Sequence, residues 1–243
     1  MWRVATLVQK RGDVPMAEFA RQWLGVIAPA IAKAAGNAGS VSRVVVNVPP
    51  ENLGESLRSV FPPAYDGLIE FWFADPEDAV STMQIIGDDA ALRELALPVI
   101  DGARSVSWLA QCFPIKPERG STVKFLAGGD VAEGVELEDA QAYWRDQHPV
   151  VAQTAPQVWE PLTRYTQFHG KPQHIVGTID WLAQGRFVPL CSDMGFVETD
   201  DFLKVYGCEQ YARIVRPDEE KFSRPGEMLS FISSEERVLF EAG

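Results

Sequence analysis

The sequence is poor in cysteine and in positive charge, and it has no long apolar run. Its three cysteines are widely spaced, without a CxxC or CxxH pattern, which argues against a disulfide framework or a structural zinc site. Acidic residues outnumber basic ones by 34 to 22, giving a net charge of −12 that repels nucleic-acid phosphates and anionic lipids. No segment approaches the roughly 18 apolar residues that span a bilayer, and the N-terminus lacks the apolar stretch of a signal peptide. We therefore expect a cytoplasmic protein with no nucleic-acid partner and no membrane partner.

Signatures of several common enzyme classes are also missing. The sequence has no Gly-x-Ser-x-Gly elbow, no glycine-rich phosphate loop and no catalytic cysteine pattern. Neither an α/β-hydrolase nor a dinucleotide-binding sheet is therefore indicated. The chain is nevertheless 243 residues long and 46% hydrophobic, which suffices for a packed core without disulfide or metal support.

Hydrophobic patterning predicts the same order of elements twice. Alternating and β-branched runs predict strands in the first half at residues 2–8, 41–48, 67–73 and 105–112. After a polar junction at 116–120, strands are predicted at residues 122–126, 162–169, 195–198 and 228–240. Helical periodicity follows the first and third strand of each set, with proline at the helix starts in the first half. Each half is therefore a βαββαβ unit.

We predict an α+β fold of two fused ferredoxin-like units, residues 1–117 and 118–243. Helices cover one face of each sheet, so the other apolar face needs a partner, and the second copy supplies one. This arrangement is an intramolecular dimeric α/β barrel. The main departure from the repeat is an insertion at residues 170–189, which is long for a plain connection. Whether the fused pair is a monomer or a homodimer stays open.

Three motifs resemble the EthD-like branch of the dimeric α/β-barrel proteins, and the resemblance covers both copies. The family's helix pattern Phe-x3-Trp-x3-His-x-Pro is similar to Phe19–Pro29 and to Ala140–Pro149. The segment Tyr65–Phe73 looks like its third strand, with a weaker echo at Asp193–Glu198. The segment Pro217–Phe222 is similar to its Asp-Glu-x-x-Phe segment. The match rests on the order and spacing of these motifs together.

The resemblance implies a pocket between sheet and helices that works without a cofactor. It also implies a polyketide-like or aromatic small-molecule partner, handled by cyclisation, dehydration or oxygenation, or bound by an accessory protein. The first copy departs from the family because Ile27 replaces the histidine and the Asp-Glu segment is not recognisable. We therefore expect the activity in the second copy, with the first copy as scaffold.

His148 is the strongest catalytic candidate. It shares a helix face with Trp144, as Ile27 does with Trp23 in the first copy, so the fold accepts an apolar residue at this position. Burying a histidine there costs about 1–3 kcal/mol unless its nitrogens are satisfied. A proton-transfer role explains this cost, since imidazole titrates near neutral pH. A core histidine bonded to a carbonyl freed by Pro149 is the alternative.

Tyr165 and His169 lie four residues apart on a predicted strand and so share one face of the sheet. If this face looks toward His148, Tyr165 can hold a phenol or enolate oxygen and His169 can complete an acid–base pair. A half-exposed face of ordinary polar residues is the alternative. The aromatic side chains that we expect to contact a substrate are Trp144, Tyr143, Trp181, Trp23 and Tyr65. For Tyr65, a structural role before the Asp-Gly turn is the alternative.

Metal and haem are the competing cofactor hypotheses. His169, His174 and either Glu198 or Asp193 are the available metal ligands, but their spacing fits no regular site. Related barrels that hold haem use an axial histidine. We expect neither a metal nor another cofactor.

The sequence favours a cofactor-independent enzyme of lyase, cyclase or dehydratase type, with His148 as general acid–base. A non-catalytic binding protein and a cofactor-free oxygenase are the alternatives. We expect one working pocket, bounded by the helix with Trp144 and His148, the strand with Tyr165 and His169, and the insertion at 170–189. Trp181 and Leu182 make that insertion apolar enough to close a cleft and exclude water.

Overall fold

The strands of the first unit follow the predicted pattern. The computed structural model describes residues 1–50 and 65–242. The first four strands are β1 (Trp2–Val8), β2 (Val41–Val48), β3 (Gly67–Phe73) and β4 (Val106–Lys116). They lie in the antiparallel order β2-β3-β1-β4, which is the ferredoxin-like arrangement.

The second unit repeats this arrangement. Its strands are β5 (Val123–Val131), β6 (Arg164–Gly170), the short β7 (Gln184–Gly185), β8 (Leu190–Phe196), β9 (Ser223–Ser233) and β10 (Glu235–Glu241). Strands β6, β8, β5 and β9 are neighbours in that order. The prediction of a strand at 195–198 is wrong at its start, because pairing with β5 and β6 already begins at Leu190.

The sheet closes into a barrel at two places where the chain passes from one unit to the other, along β4 and along the consecutive strands β9 and β10. β4 pairs with β1 through residues 106–111 and with β6 through residues 110–116, so it crosses from one unit to the other. In the same way β9 pairs with β5 and β10 pairs with β2, with only Ser234 between β9 and β10. The predicted fold, two fused ferredoxin-like units that form an intramolecular barrel, is confirmed.

Helices pack on the outer side of both halves of the barrel. In the first unit they are α1 (Met16–Gln22), α2 (Ala28–Ala38), α3 (Pro76–Asp88) and α4 (Ala90–Ala96). In the second they are α5 (Leu137–Asp146), α6 (His148–Gln153), α7 (Pro156–Trp159), α8 (Thr199–Gly207) and α9 (Arg216–Glu219). In the ranges 1–50 and 65–242, no helix is both long and apolar enough to cross a membrane.

The first helix of each unit is irregular at the same position. A π-helical turn, Trp23–Ile27, separates α1 from α2, and α5 breaks at Gln147 before α6. Pro29 and Pro149 follow these points, and proline removes the backbone donor that would continue the regular bonding pattern. A second π-helical turn, Tyr211–Val215, precedes α9. These irregular turns were not predicted from the sequence.

Four buried charges sit at equivalent positions of the two units inside the barrel. Arg3 and Glu70 come from the first unit, and Lys124 and Asp193 from the second; all four are nearly inaccessible. Arg3 and Lys124 each form an ion pair with Glu70, and they lie 3.1 and 3.5 Å from Asp193. Each cation therefore contacts a carboxylate of the other unit. We call this set the barrel quartet.

Candidate functional site

A cavity of about 400 Å³ lies between the sheet and the helices of the second unit. Apolar side chains that line it include Trp144, Val158, Trp159, Met194, Val205 and Phe222. Polar side chains that line it include His148, Tyr165, Tyr206, Tyr211, Arg216 and Glu219. A space of this size, mostly apolar with a few converging polar groups, is typical of a small-molecule site.

Strand pairing shows which residues of the first unit are equivalent to the polar residues of β6 in the second unit. Arg43 of β2 pairs with Trp72, and Arg164 of β6 pairs with Gly195 at the equivalent place. The positions of Tyr165, Gln167 and His169 are therefore taken by Val44, Val46 and Val48 in the first unit. The valines pack in an apolar core with Ile27, whereas the second unit holds His148 there. The polar groups are not needed to build the fold.

His148 forms a buried hydrogen-bonded pair with Asp218. The distance from His148 Nδ1 to Asp218 Oδ2 is 2.8 Å, and the two residues are 5% and 2% exposed. The other carboxylate oxygen, Oδ1, accepts hydrogen bonds from the Tyr143 hydroxyl at 2.6 Å and from Lys221 Nζ at 2.8 Å. These donors hold the Asp218 carboxylate in place, and the carboxylate fixes the orientation of the imidazole.

The surroundings keep His148 neutral near pH 7. Burial lowers the pKa of the imidazole below its ordinary value, and Asp218 opposes this effect without overcoming it. A neutral imidazole that bonds a carboxylate through Nδ1 carries its proton on that nitrogen. Nε2 is then the proton acceptor, and it has no hydrogen-bond partner among the described residues. The ring edge lies against Phe222, with the ring centroids 5.0 Å apart.

Tyr165 lies in the same cavity with its hydroxyl fixed by two donors. Trp144 Nε1 donates to the Tyr165 hydroxyl at 2.8 Å, and Gln167 Nε2 donates to it at 3.2 Å. Burial raises the pKa of the phenol above its ordinary value. Tyr165 therefore stays protonated, and its own O–H remains available to an acceptor in the cavity.

His169 does not join His148 at the cavity. Its ring stacks on Trp144 with centroids 5.0 Å apart and lies 4.5 Å from the ring of Phe113, and its Nε2 is 3.1 Å from Gln167 Oε1. Burial lowers the pKa of His169 to about 3, so the residue is neutral in the folded protein. The alternation along β6 was predicted correctly, but Trp144 separates His169 from the cavity. The expected acid–base pair of His148 and His169 is not assembled.

The structure adds acidic and phenolic groups that the sequence reasoning did not select. Asp218 and Glu219 are adjacent on α9, and Tyr211 lies on the π-helical turn before it. The Asp-Glu-x-x-Phe motif had marked this segment, but only as a sign of family resemblance. Tyr143 contacts Asp218 rather than the cavity, so its expected substrate contact becomes a hydrogen bond that positions Asp218.

Three expected substrate contacts lie away from this cavity. Trp23 is buried in the core of the first unit, and Tyr65 packs among apolar residues inside the barrel. Trp181 and Leu182 of the insertion also join the first-unit core, where Trp181 Nε1 donates to the Gly87 carbonyl at 3.1 Å. The expectation that this insertion closes the second-unit pocket is thus corrected. Its apolar residues needed burial, and the helices of the first unit provide it.

Replacement of Trp181 by phenylalanine tests this placement. We expect a loss of about 1–2 kcal/mol in the free energy of unfolding, because the hydrogen bond to Gly87 and part of the buried ring disappear. Ligand affinity of the second-unit cavity should not change. Chemical denaturation and a binding titration with 2-tetralone measure the two effects, and a tenfold loss of affinity at unchanged stability would contradict the placement.

The side chains named as candidate metal ligands lie apart from one another in the structure. Across residues 1–50 and 65–242, no group of three or more His, Cys, Asp or Glu side chains is arranged to hold a metal ion. His174 lies 3.4 Å from Glu77 and against Trp2, whereas His169 lies in the core of the second unit. Asp193 belongs to the barrel quartet. The candidate ligands are therefore dispersed.

Comparison with known proteins identifies the fold. No family model matches the sequence, and no curated protein matches it. The chain is similar to the structure of an anthrone oxidase-like protein, with a TM-score of 0.58 and 10% identity over 99% of this chain and 94% of the other. It is also similar to a variant of chlorite dismutase from Candidatus Nitrospira defluvii, with a TM-score of 0.54 and 10% identity over 96% and 91% of the two chains. The chain thus has the dimeric α/β-barrel fold, with both halves supplied by one polypeptide.

Proposed function

We propose that the protein is an enzyme that removes a proton from a hydrophobic carbonyl- or phenol-bearing small molecule in the second-unit cavity, with His148 as the base. The observation that carries this proposal is the His148–Asp218 pair. Its carboxylate fixes Nδ1 at 2.8 Å and leaves Nε2 without a partner on the wall of an apolar cavity. A positioned neutral imidazole is a general base suited to neutral pH.

The other cavity groups support the same chemistry. Removing a proton beside a carbonyl places negative charge on the oxygen, and a hydroxyl donor stabilises that charge in an apolar site. Tyr165 is such a donor because its hydroxyl is held by Trp144 and Gln167. The reaction types that begin in this way include cyclisation, dehydration and other lyase reactions. They are also those implied by the resemblance to EthD-like proteins, and no cofactor takes part.

Solvent-deuterium exchange tests the proposal without knowledge of the natural substrate. 2-Tetralone is a neutral hydrophobic ketone with acidic protons on the carbons beside its carbonyl, and anthrone is one whose acidic protons lie on the ring carbon opposite its carbonyl. We expect the protein to catalyse incorporation of deuterium from D2O under nitrogen, measured by proton NMR, and His148→Ala to lose about 10²–10⁴-fold of that rate. His174→Ala is the matched control and should exchange at the rate of the unsubstituted protein. Equal rates for His148→Ala and the unsubstituted protein would refute the role of His148.

Oxygenation is the second candidate, and it uses the same base. A deprotonated anthrone or phenol reacts with dioxygen, and one of the solved structures to which this chain is similar is that of an anthrone oxidase-like protein. The oxygenase hypothesis predicts that admission of air converts anthrone to an oxidised product in the presence of the protein. The lyase-type hypothesis predicts the same turnover with and without air. Saturable binding without exchange in either gas would instead indicate a binding protein.

A haem group would compete for the same nitrogen. His148 would hold the haem iron through Nε2, since an imidazole whose Nδ1 bonds a carboxylate has the donor chemistry of such a ligand. Arg216 and Arg224, which also line the cavity, would face the haem carboxylates. Haem would supply redox chemistry in place of proton transfer. We expect the purified protein to show no haem absorption band, and a band that His148→Ala abolishes would favour the haem hypothesis.

A further inference from the structure

The cavity contains a titratable side chain, Glu219, that the proposed proton removal by His148 does not use. Glu219 follows Asp218 directly in the sequence, and its side chain lines the same cavity as His148 and Tyr165. Its Oε2 accepts a hydrogen bond from the Tyr211 hydroxyl at 2.9 Å and lies 3.4 Å from Arg216 Nη1. No hydrogen bond to its Oε1 occurs among the residues that the structure describes. One oxygen is therefore anchored, and the other is open to a ligand.

Burial keeps the Glu219 carboxyl partly protonated at neutral pH. Burial raises the pKa of the carboxyl to about 7, with a further upward contribution from the Asp218 carboxylate. Tyr211 and Arg216 act in the opposite direction. Tyr165 and Tyr206 are close enough that the Glu219 charge adds to the upward shift of the pKa of both phenols. The Glu219 carboxyl therefore contacts Tyr211 and Arg216, and its charge acts on Tyr165 and Tyr206. In part of the protein molecules it is a neutral acid at pH 7.

We propose that Glu219 is the catalytic acid that works with His148, and that the substrate is a neutral hydrophobic ketone which the pair converts to its enol. This inference rests on the proposed function. His148 Nε2 takes the proton from the carbon beside the carbonyl, and the electrons of that C–H bond form the new C=C bond. The carbonyl π electrons take the proton of Glu219, giving the enol O–H. The imidazolium and the Glu219 carboxylate that remain exchange protons with solvent, so that no oxidant or reductant is needed.

The pH dependence of deuterium exchange into 2-tetralone tests this pairing. The rate should rise with pH through the lowered pKa of His148, below 6.5, and fall above about 7 as Glu219 loses its proton. Glu219→Gln keeps the shape and the acceptor oxygen but has no acidic proton. It should lose about 10²–10³-fold of the rate at pH 6.5 and show no fall above pH 7. Glu220→Gln, at the neighbouring exposed carboxylate that pairs with Arg216, is the matched control and should keep both the rate and the fall.

A second variant distinguishes proton donation from a purely structural role. Tyr211→Phe removes the hydrogen bond that favours the ionised form of Glu219, so the fall in rate should move to higher pH while the fold is retained. If Glu219→Gln exchanges at the rate of the unsubstituted protein and still loses rate above pH 7, Glu219 is not the acid, although His148 remains the base. If His148→Ala exchanges at the unsubstituted rate, the proposed function itself fails.

Discussion

Asp218→Asn is expected to lower the exchange rate by about 10²–10⁴-fold although it changes a single atom. The hydroxyl of Tyr143 and the ammonium of Lys221 both donate to Asp218 Oδ1, so the amide oxygen of asparagine should occupy this place. The amide NH2 then faces His148 Nδ1 and donates to it. The imidazole must carry its proton on Nε2, where it can no longer accept one from a substrate. The same exchange assay on 2-tetralone measures the loss.

A control separates this tautomer effect from a general loss of charge near the site. Asp146 also lies close to the helix motif, but it is exposed and pairs with Arg145 at 2.6 Å. Asp146→Asn should leave the rate within about twofold, since exposed ion pairs contribute little. A rate for Asp218→Asn within threefold of the unsubstituted protein would show that Asp218 does not set the tautomer.

Glu70→Gln is expected to cost about 3–5 kcal/mol in the free energy of unfolding. Glu70 is fully buried and forms ion pairs with both Arg3 and Lys124. Without its charge, Arg3 depends on Asp193 at 3.1 Å. Lys124 depends on Asp193 at 3.5 Å and on the partly exposed Glu236 at 3.9 Å, while Arg164 also binds Asp193 at 2.9 Å. Burial alone would raise the pKa of Asp193, but these three cations hold it below its ordinary value. One carboxylate cannot replace two, so a buried positive charge remains unbalanced.

Chemical denaturation of Glu70→Gln and Glu18→Gln side by side measures this cost. Glu18 forms an ion pair with Arg21 at 2.6 Å, but both side chains are exposed to solvent, so its loss should change the free energy of unfolding far less. Equal destabilisation by the two substitutions would mean that the barrel quartet does not stabilise the pairing of the two units.

Local patterning predicted most of the fold because the two units repeat one order of elements. Alternation of apolar and polar residues indicated the strands, and the repeat implied that the apolar faces of the two sheets cover each other. The barrel quartet was not predicted, since Arg3 and Glu70 alternate with apolar residues as they would on a solvent-exposed strand face. Only closure of the sheet, through the two strands that cross between units, buries both faces at once. The start of β8 was misplaced because pairing partners, rather than local pattern, determine where a strand begins.

Part of the site was predictable because His148, Trp144 and Tyr165 are brought together by helix and strand periodicity alone. Asp218 lies 70 residues after His148 on a different helix, and no local pattern connects them. Apolar content indicated that Trp181 is buried, but it did not indicate which unit buries it. The comparison of Ile27 with His148 was the strongest sequence signal. It identified a polar residue that the fold does not need.

The most direct test of the central claim is nitrogen-15 NMR of the His148 ring, recorded at pH 7 with and without 2-tetralone. The account predicts a neutral ring with the proton on Nδ1 and an unprotonated Nε2, whose shift moves when 2-tetralone is added. Asp218→Asn should reverse the two nitrogen signals. A ring that is protonated on both nitrogens at pH 7, or one whose proton lies on Nε2 in the unsubstituted protein, would contradict the role of His148 as the base.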